Sequence, residues 1–206
     1  MSDEAVQAGS VNAASTGAGE LVGATFWIRG GARIIDQLAH LAILLITLFL
    51  LEFWLGLYAG ITGVAFEPLS DKVTAYRWFD WVFGCVGLAL YHTAMEGMHG
   101  STVGKRLLGL AVTGNQRRPI GLRAAVGRSF AFYFDSLFFG LVAAASMQPP
   151  LQQRYGDKWC GTVVTKRSAL DRTELPRGGF GTALFVALAA DASCHLLSAC
   201  LKLLGI

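Results

Sequence analysis

The stretch "WIRGGARIIDQLAHLAILLITLFLLEFWLG", residues 27–56, decides the class of this protein. At about 1.5 Å per residue it is long enough to cross roughly 30 Å of hydrocarbon as a helix. A charge at the bilayer centre costs roughly 2.5–3.5 kcal/mol on insertion scales, so charges in such a segment are expected to face protein or water. Its first half nevertheless carries four ionisable side chains, which are those of Arg29, Arg33, Asp36 and His40.

The composition is that of a membrane protein. Of the 206 residues, 53% are hydrophobic and 15% are charged, whereas an average soluble domain has about a quarter charged residues. The net charge is +3, and the basic residues flank apolar segments, which favours contact with an anionic membrane surface over nucleic acid. We therefore expect the lipid bilayer as a partner and no nucleic acid.

Four apolar segments predict the transmembrane helices. The first, second and fourth are long enough to span the bilayer, and the third is near the lower length limit. The sequence therefore predicts an all-α membrane protein with three or four transmembrane helices. The four segments are residues 33–58, 78–98, 130–147 and 180–204.

The distribution of Lys and Arg predicts the orientation of these segments. Residues 59–76 contain one basic residue, whereas 99–128 and 148–177 contain six each. The positive-inside rule places both basic segments, and also the N-terminus, in the cytoplasm. Because both flanks of 130–147 would then be cytoplasmic, we expect this segment to be a re-entrant or interfacial helical element.

Two short strands are expected beside that element. "KRLLGLAVTG" (105–114) and "WCGTVVTKR" (159–167) are rich in Val, Leu and Thr, and they predict a small cytoplasmic β-hairpin-like element, although two irregular loops remain the alternative. Residues 1–23 lack Lys and Arg and predict a disordered N-terminal tail without a signal peptide. A membrane domain over 24–168 and a linker with an additional C-terminal transmembrane helix over 169–206 complete the expected organisation.

The four ionisable residues in the first half of the opening stretch share one helix face. Their intervals are 4, 3 and 4 residues, which places Arg29, Arg33, Asp36 and His40 on a single stripe. One interpretation is a structural ion pair, in which Arg33 or Arg29 neutralises Asp36. The other is a stripe that binds an ion or polar solute.

Four motifs in order along the chain resemble the RDD family of bacterial membrane proteins, which is named for one arginine and two aspartates. The opening helix resembles the family's entry helix, and "EGMHGSTVGKRLLGLAV", "GRSFAFYFDSL" and "QQRYGDKWCGTVV" resemble its later elements. Val103 stands where the family usually has proline. The residues that carry the resemblance are Phe26, Trp27, Arg29, Asp36, Glu96, Thr102, Gly104, Lys105, Arg106, Arg128, Asp135 and Asp157.

The resemblance covers about residues 24–166 and implies a multi-pass protein of the bacterial cytoplasmic (inner) membrane. It implies that Arg29, Asp36 and Asp157 are the named charged residues, with Asp135 as the alternative second aspartate. Some family members have been linked to sodium–proton exchange, which implies a monovalent cation or proton as a partner.

Other polar clusters give weaker indications. His92, Glu96 and His99 share a helix face but offer only three ligands, so we predict no metal site and favour either interfacial packing or pairing with Lys105. Asp191 and His195 are spaced i, i+4 within the last apolar segment, where they would either carry protons or bind a partner subunit.

No enzymatic site is evident. Gly100 and Gly104 enclose too few residues for a phosphate-binding loop, and we find no nucleophile–base pair or cofactor motif. We expect no catalytic residues, no cofactor and no enzymatic activity. The first hypothesis is transport of an ion or small solute, with Asp36 and Asp191 as titratable sites and Arg29 as counter-charge. The alternative is an accessory or assembly subunit of a larger membrane complex. A transporter of this size would be expected to form a homo-oligomer.

Overall fold

A computed structural model describes residues 21–75 and 77–205. The protein is mostly helical, with one small sheet. Its helices are α1 (Phe26–Thr62), α2 (Phe66–Thr74), α3 (Arg77–His99), α4 (Val103–Leu107), α5 (Leu122–Asp135), α6 (Leu141–Ser146), α7 (Tyr155–Trp159) and α8 (Phe180–Leu204); its strands are β1 (Leu110–Gly114) and β2 (Thr162–Lys166). Short 3₁₀ turns cover Leu137–Gly140, Arg167–Ala169 and Arg172–Glu174.

The predicted N-terminal tail lies outside the described residues except for its last three. Two of these three, Val22 and Gly23, are held against the rest of the chain. Gly23 donates its N–H to the carbonyl of Pro150 at 2.9 Å and forms an isolated β-bridge with Thr165, whose hydroxyl donates to the carbonyl of Val22 at 2.6 Å. The folded part of the chain therefore includes residues assigned to the tail from sequence.

Helices α1 and α8 are the two described helices long and apolar enough to cross a membrane. Helix α1 has 37 residues and ends at Gly63, whose φ of 74° allows its N–H to bond the carbonyl of Ala59 at 2.9 Å. Helix α8 has the predicted bounds, and α3 covers the predicted segment 78–98.

Small residues allow α8 to pack along α3. Ala183 and Ala187 of α8 are fully buried against Tyr91 and Met95 of α3. Most large apolar side chains in the middle of α1 are exposed instead, as expected for a helix surrounded by lipid. The first turns of α1 pack on the sheet, where Ala32 joins a core formed with Leu110, Val112, Ile120, Ala125 and Val164.

The two predicted strands pair, but they are shorter than expected and do not form a hairpin. Residues 105–107 belong to α4 because the Thr102 hydroxyl caps this turn by accepting from the N–H of Lys105 at 3.3 Å. The strands are antiparallel, with Leu110 opposite Lys166 and Gly114 opposite Thr162. The chain between them, residues 115–161, contains α5, α6 and α7, so a long helical segment replaces the expected tight turn. We call residues 115–161 the excursion.

The third apolar segment, 130–147, is not one continuous helix. It is divided among the end of α5, a 3₁₀ turn and α6, with a change of direction at Gly140, whose φ is 84°. The excursion returns to the sheet through α7, whose Gly156 donates its N–H to Asp135 of α5 at 3.2 Å. Both ends of this excursion therefore lie at the same sheet.

Candidate functional site

Asp36 of α1 accepts hydrogen bonds from the turn that begins α4. Its carboxylate receives the Thr102 hydroxyl at 2.7 Å, the Gly104 N–H at 2.8 Å and the Tyr91 hydroxyl at 3.1 Å. This turn lies close to α1: a Cβ at position 104 would overlap the carbonyl of Ala32. The carboxylate is 1% exposed.

The expected ion pair along α1 is not formed. Among the described residues, Asp36 makes no ion pair with Arg29 or Arg33. Three neutral donors stabilise its charge instead, because α4 approaches the same face of α1. The prediction that Arg29 is the counter-charge of Asp36 was therefore wrong.

Arg29 binds Asp157 of α7. The guanidinium of Arg29 donates to this carboxylate and, at 2.8 Å, to the carbonyl of Gln152. Burial alone would raise the pKa of Asp157, but the positive charges of Arg128, Arg29 and Arg154 outweigh it and hold the pKa well below its usual range. Asp157 is therefore an anchored anion that joins α7 to the start of α1.

Arg128 of α5 connects this pair to a second acid. Its guanidinium donates to Asp157 and, through Nε at 2.8 Å, to Glu96 of α3. Burial would lower the pKa of Arg128, but Asp157 and Glu96 raise it above its usual value. Glu96 also accepts from Lys105 of α4, and burial lowers the pKa of Lys105 to about 8 despite this ion pair.

These ion pairs surround a small polar cavity. Its volume of about 30 Å³ suits water or a small ion. Five cationic side chains and two carboxylates line it. They are Arg29, Arg33, Lys105, Arg128 and Arg154, and Asp36 and Glu96.

Among the described residues, the guanidinium groups of two of the cations, Arg33 and Arg154, make no hydrogen bond to a carboxylate. Arg33 makes no ion pair within the described part of the chain; it binds His92 and lies 3.6 Å from the centroid of the Phe132 ring. Arg154 approaches Asp157 and Asp135 only at 3.8 and 4.0 Å. The Nε atoms of Arg154 and Arg29 are buried without a hydrogen-bond partner. The cavity is therefore an electropositive site with unused donors.

The other predicted site residues fall at three places, of which the third is the His40–Asp191–His195 cluster described below. Arg106 binds His99 at 2.9 Å and lies over the ring of Phe180, which joins α4 to α3 and α8. Asp135 accepts from the N–H of Gly156 and does not bind Arg29. Asp157, not Asp135, is therefore the acid that holds the arginine of the entry helix.

The Asp191–His195 pair of α8 meets the last polar residue of the α1 stripe. His40 Nδ1 lies 2.8 Å from Asp191 Oδ2, and His195 Nε2 lies 3.6 Å from Asp191 Oδ1. This cluster is separate from the arginine-lined cavity, since none of its three residues lines that cavity. The α1 stripe thus divides between two buried sites.

Sequence reasoning missed Tyr91 and Arg154 as site residues. Tyr91 lies in an apolar helix and carries no spacing signal, because its contact with Asp36 spans 55 positions. Arg154 lay within the "QQRYGDKW" motif, and that motif is the only signal that would have indicated it.

The model of the RDD family matches residues 23–161. No curated protein and no solved structure matches the chain. The matched region is more than half of the chain, and it contains Arg29, Asp36 and Asp157 in their hydrogen-bonded positions. Together with the two long apolar helices, this match shows that the chain is a membrane protein that belongs to the RDD family.

Proposed function

We propose that this protein supports the transport of a small inorganic ion, and that the arginine-lined cavity between α1, α3, α4 and α5 is where the ion binds. One observation carries the proposal: five cations and two carboxylates line a buried cavity of about 30 Å³. Ionisable residues within a membrane protein are costly and are commonly part of an ion or proton pathway.

The charge balance favours an anion over a monovalent cation. Asp157 and Glu96 are already shared among Arg29, Arg128 and Lys105, and Asp36 accepts three hydrogen bonds. A sodium ion would be repelled by Arg33, which makes no ion pair among the described residues, whereas an anion would also accept from the unused Nε donors of Arg29 and Arg154. Exchange of a cation for a proton, which the family resemblance implied, is therefore the less favoured form of this proposal.

The placement in the membrane that suits this function has α1, α3 and α8 as spans, with the sheet and the N-terminus in the cytoplasm of a bacterial inner membrane. Residues 122–146 would enter the membrane surface and return. Exposed aromatic and apolar side chains on residues 122–146 and on α7 support an interfacial position for this part of the chain. They are Phe130, Phe134, Phe138, Leu141 and Trp159.

Flux measurements in proteoliposomes test the proposal. Wild type, Arg33→Gln and the exposed-site control Arg123→Gln would be reconstituted with a chloride-sensitive dye or a pH dye inside. We expect an anion gradient to drive flux in wild type and in Arg123→Gln, with a loss in Arg33→Gln. Flux that requires sodium, lithium or potassium and does not depend on the anion gradient would support cation–proton exchange instead. No flux in well-folded wild type would contradict transport.

A non-catalytic accessory subunit is the second candidate. The middle of α1 favours it, because the exposed side chains of Leu45, Phe49 and Phe53 offer an apolar surface to another helix as well as to lipid. Purification from native membrane in mild detergent would then yield other subunits in fixed stoichiometry. A homo-oligomer without other subunits would favour a self-sufficient transporter.

A further inference from the structure

Three polar side chains converge between the two longest apolar helices. His40 comes from α1, and Asp191 and His195 come from α8. One potential ligand atom from each residue lies within 4.8 Å of the other two. Because His40 and Asp191 are 151 positions apart, no spacing in the sequence indicates that His40 joins the Asp191–His195 pair.

Burial leaves the cluster with unmet requirements. Asp191 is 0% exposed and His195 is 5% exposed. Within the described residues, Asp191 has no Lys or Arg partner, and its only ion-pair partners are the two imidazoles. Asp191 Oδ1 and His195 Nε2 have no hydrogen-bond partner. A buried carboxylate and an imidazole nitrogen are thus both directed into the cluster without being satisfied.

Two glycines of α3 complete the space around the cluster. A Cβ at Gly87 would overlap Asp191 Oδ1, so only glycine permits this position of the carboxylate. At Gly84 a Cβ would lie 3.6 Å from His195 Cε1 and 3.8 Å from His40 Nε2, which are ordinary contacts. The backbone of α3 therefore closes one side of the cluster without adding a ligand.

We propose that His40, Asp191 and His195 bind a divalent transition-metal ion of the zinc class. One nitrogen of each imidazole and the Asp191 carboxylate provide three ligands, and a water molecule takes the fourth position. Two imidazoles and a carboxylate are ligands that zinc accepts. Zinc–ligand bonds of about 2.0–2.1 Å place tetrahedral ligands ~3.3 Å apart. Each imidazole approaches a different oxygen of Asp191 at a separation near this value, His40 Nδ1 at 2.8 Å from Oδ2 and His195 Nε2 at 3.6 Å from Oδ1.

The ion would neutralise Asp191 and give Oδ1 and His195 Nε2 the partner that they lack. This site is distinct from the arginine-lined cavity and does not depend on the proposed transport. It joins α1 to a helix that lies beyond the family match, which ends at residue 161. A structural role, clamping α8 to α1, follows from this position.

Zinc and cobalt titrations of the full chain test the site. The protein, purified in detergent and stripped with a chelator, would be titrated with Zn²⁺ by calorimetry and with Co²⁺ by visible absorption. We expect one ion per chain with a Kd below about 10 μM, a tetrahedral Co²⁺ spectrum, and an increase in Tm on adding Zn²⁺. Well-folded wild type that binds neither ion would overturn the proposal.

Matched variants separate ligation from general polarity. His195→Gln removes a ligand, and Gly87→Ala displaces the Asp191 carboxylate while keeping all three ligands; each should weaken metal binding by at least about tenfold. Gly84→Ala adds the same methyl group on the same helix and should change the Kd by less than about threefold. If His195→Gln does not fold, the difference in metal affinity between Gly87→Ala and Gly84→Ala still tests the proposal. Equal metal affinity in both glycine variants would overturn the proposal.

Discussion

Arg29 and Asp157 form a buried ion pair across 128 positions of the chain. It joins the first turn of α1, a helix long and apolar enough to cross a membrane, to a five-residue helix at the sheet. Both side chains are at most 5% exposed, and Arg128 extends the network to Glu96. These contacts connect α1, α3, α5 and α7, so the network determines how the excursion between the strands is held.

Removing one partner of this pair should strongly destabilise the protein. Asp157→Asn or Arg29→Gln leaves an uncompensated buried charge, which costs about 3–5 kcal/mol. In the double variant the loss should be smaller than the sum of the single losses by about 0.5–3 kcal/mol. SDS unfolding in mixed micelles measures these free energies. The exposed Arg123→Gln should stay within about 0.5 kcal/mol of wild type, and additive single losses would contradict direct coupling.

The contribution of Asp157 should depend on pH in a defined direction. Its folded pKa lies below its usual range, and an unfolded aspartate has a pKa of about 3.9. The native state therefore binds fewer protons, so this stabilisation is complete above about pH 5 and is lost as the pH falls towards the folded pKa. The difference in Tm between wild type and Asp157→Asn should be constant from pH 5 to about pH 7 and shrink below about pH 4. A difference that grows in acid would contradict this prediction.

The sequence predicted elements better than it predicted partners. Hydropathy gave α8 its observed bounds, and the period of the α1 stripe placed Asp36 and His40 on a buried face. The partners of Asp36 depend on a turn 66 to 68 positions away, and no local pattern encodes such a contact. Residues 105–107 of α4 were assigned to a strand because a helix of five residues is too short to show a helical period, although Thr102 is a helix-capping residue.

The close approach of α4 to α1 should make position 104 intolerant of any side chain. In Gly104→Ala the new methyl group would overlap the Ala32 carbonyl and lie 3.1 Å from Asp36 Cγ. We expect a loss of about 1–3 kcal/mol, as for overpacking in a well-packed core. Gly30→Ala is the control, because a Cβ there meets nothing within 4 Å and alanine should stabilise the helix by up to about 1 kcal/mol. Equal stability of the two variants would show that α4 does not lie against α1.

The paired strands predict that both ends of the excursion between them lie on one side of the membrane. Gln116 lies at the start of the excursion, Ser168 lies just after β2, the strand that follows its end, and both are exposed. In a background without native cysteines, Gln116→Cys and Ser168→Cys should react with a membrane-impermeant maleimide from the same side. The proposed placement in the membrane, which follows the positive-inside rule, predicts that this side is the cytoplasm.

Glu67→Cys is the matched control for this labelling, because Glu67 is exposed on α2, beyond the far end of α1. It should react only from the opposite side, in intact spheroplasts and not in inverted vesicles. If Gln116→Cys and Ser168→Cys reacted from opposite sides, the excursion would have to cross the bilayer. That crossing is incompatible with Gly114 lying opposite Thr162 in one sheet, since paired strands are separated by only about 5 Å. The labelling therefore tests the sheet and the re-entrant course together.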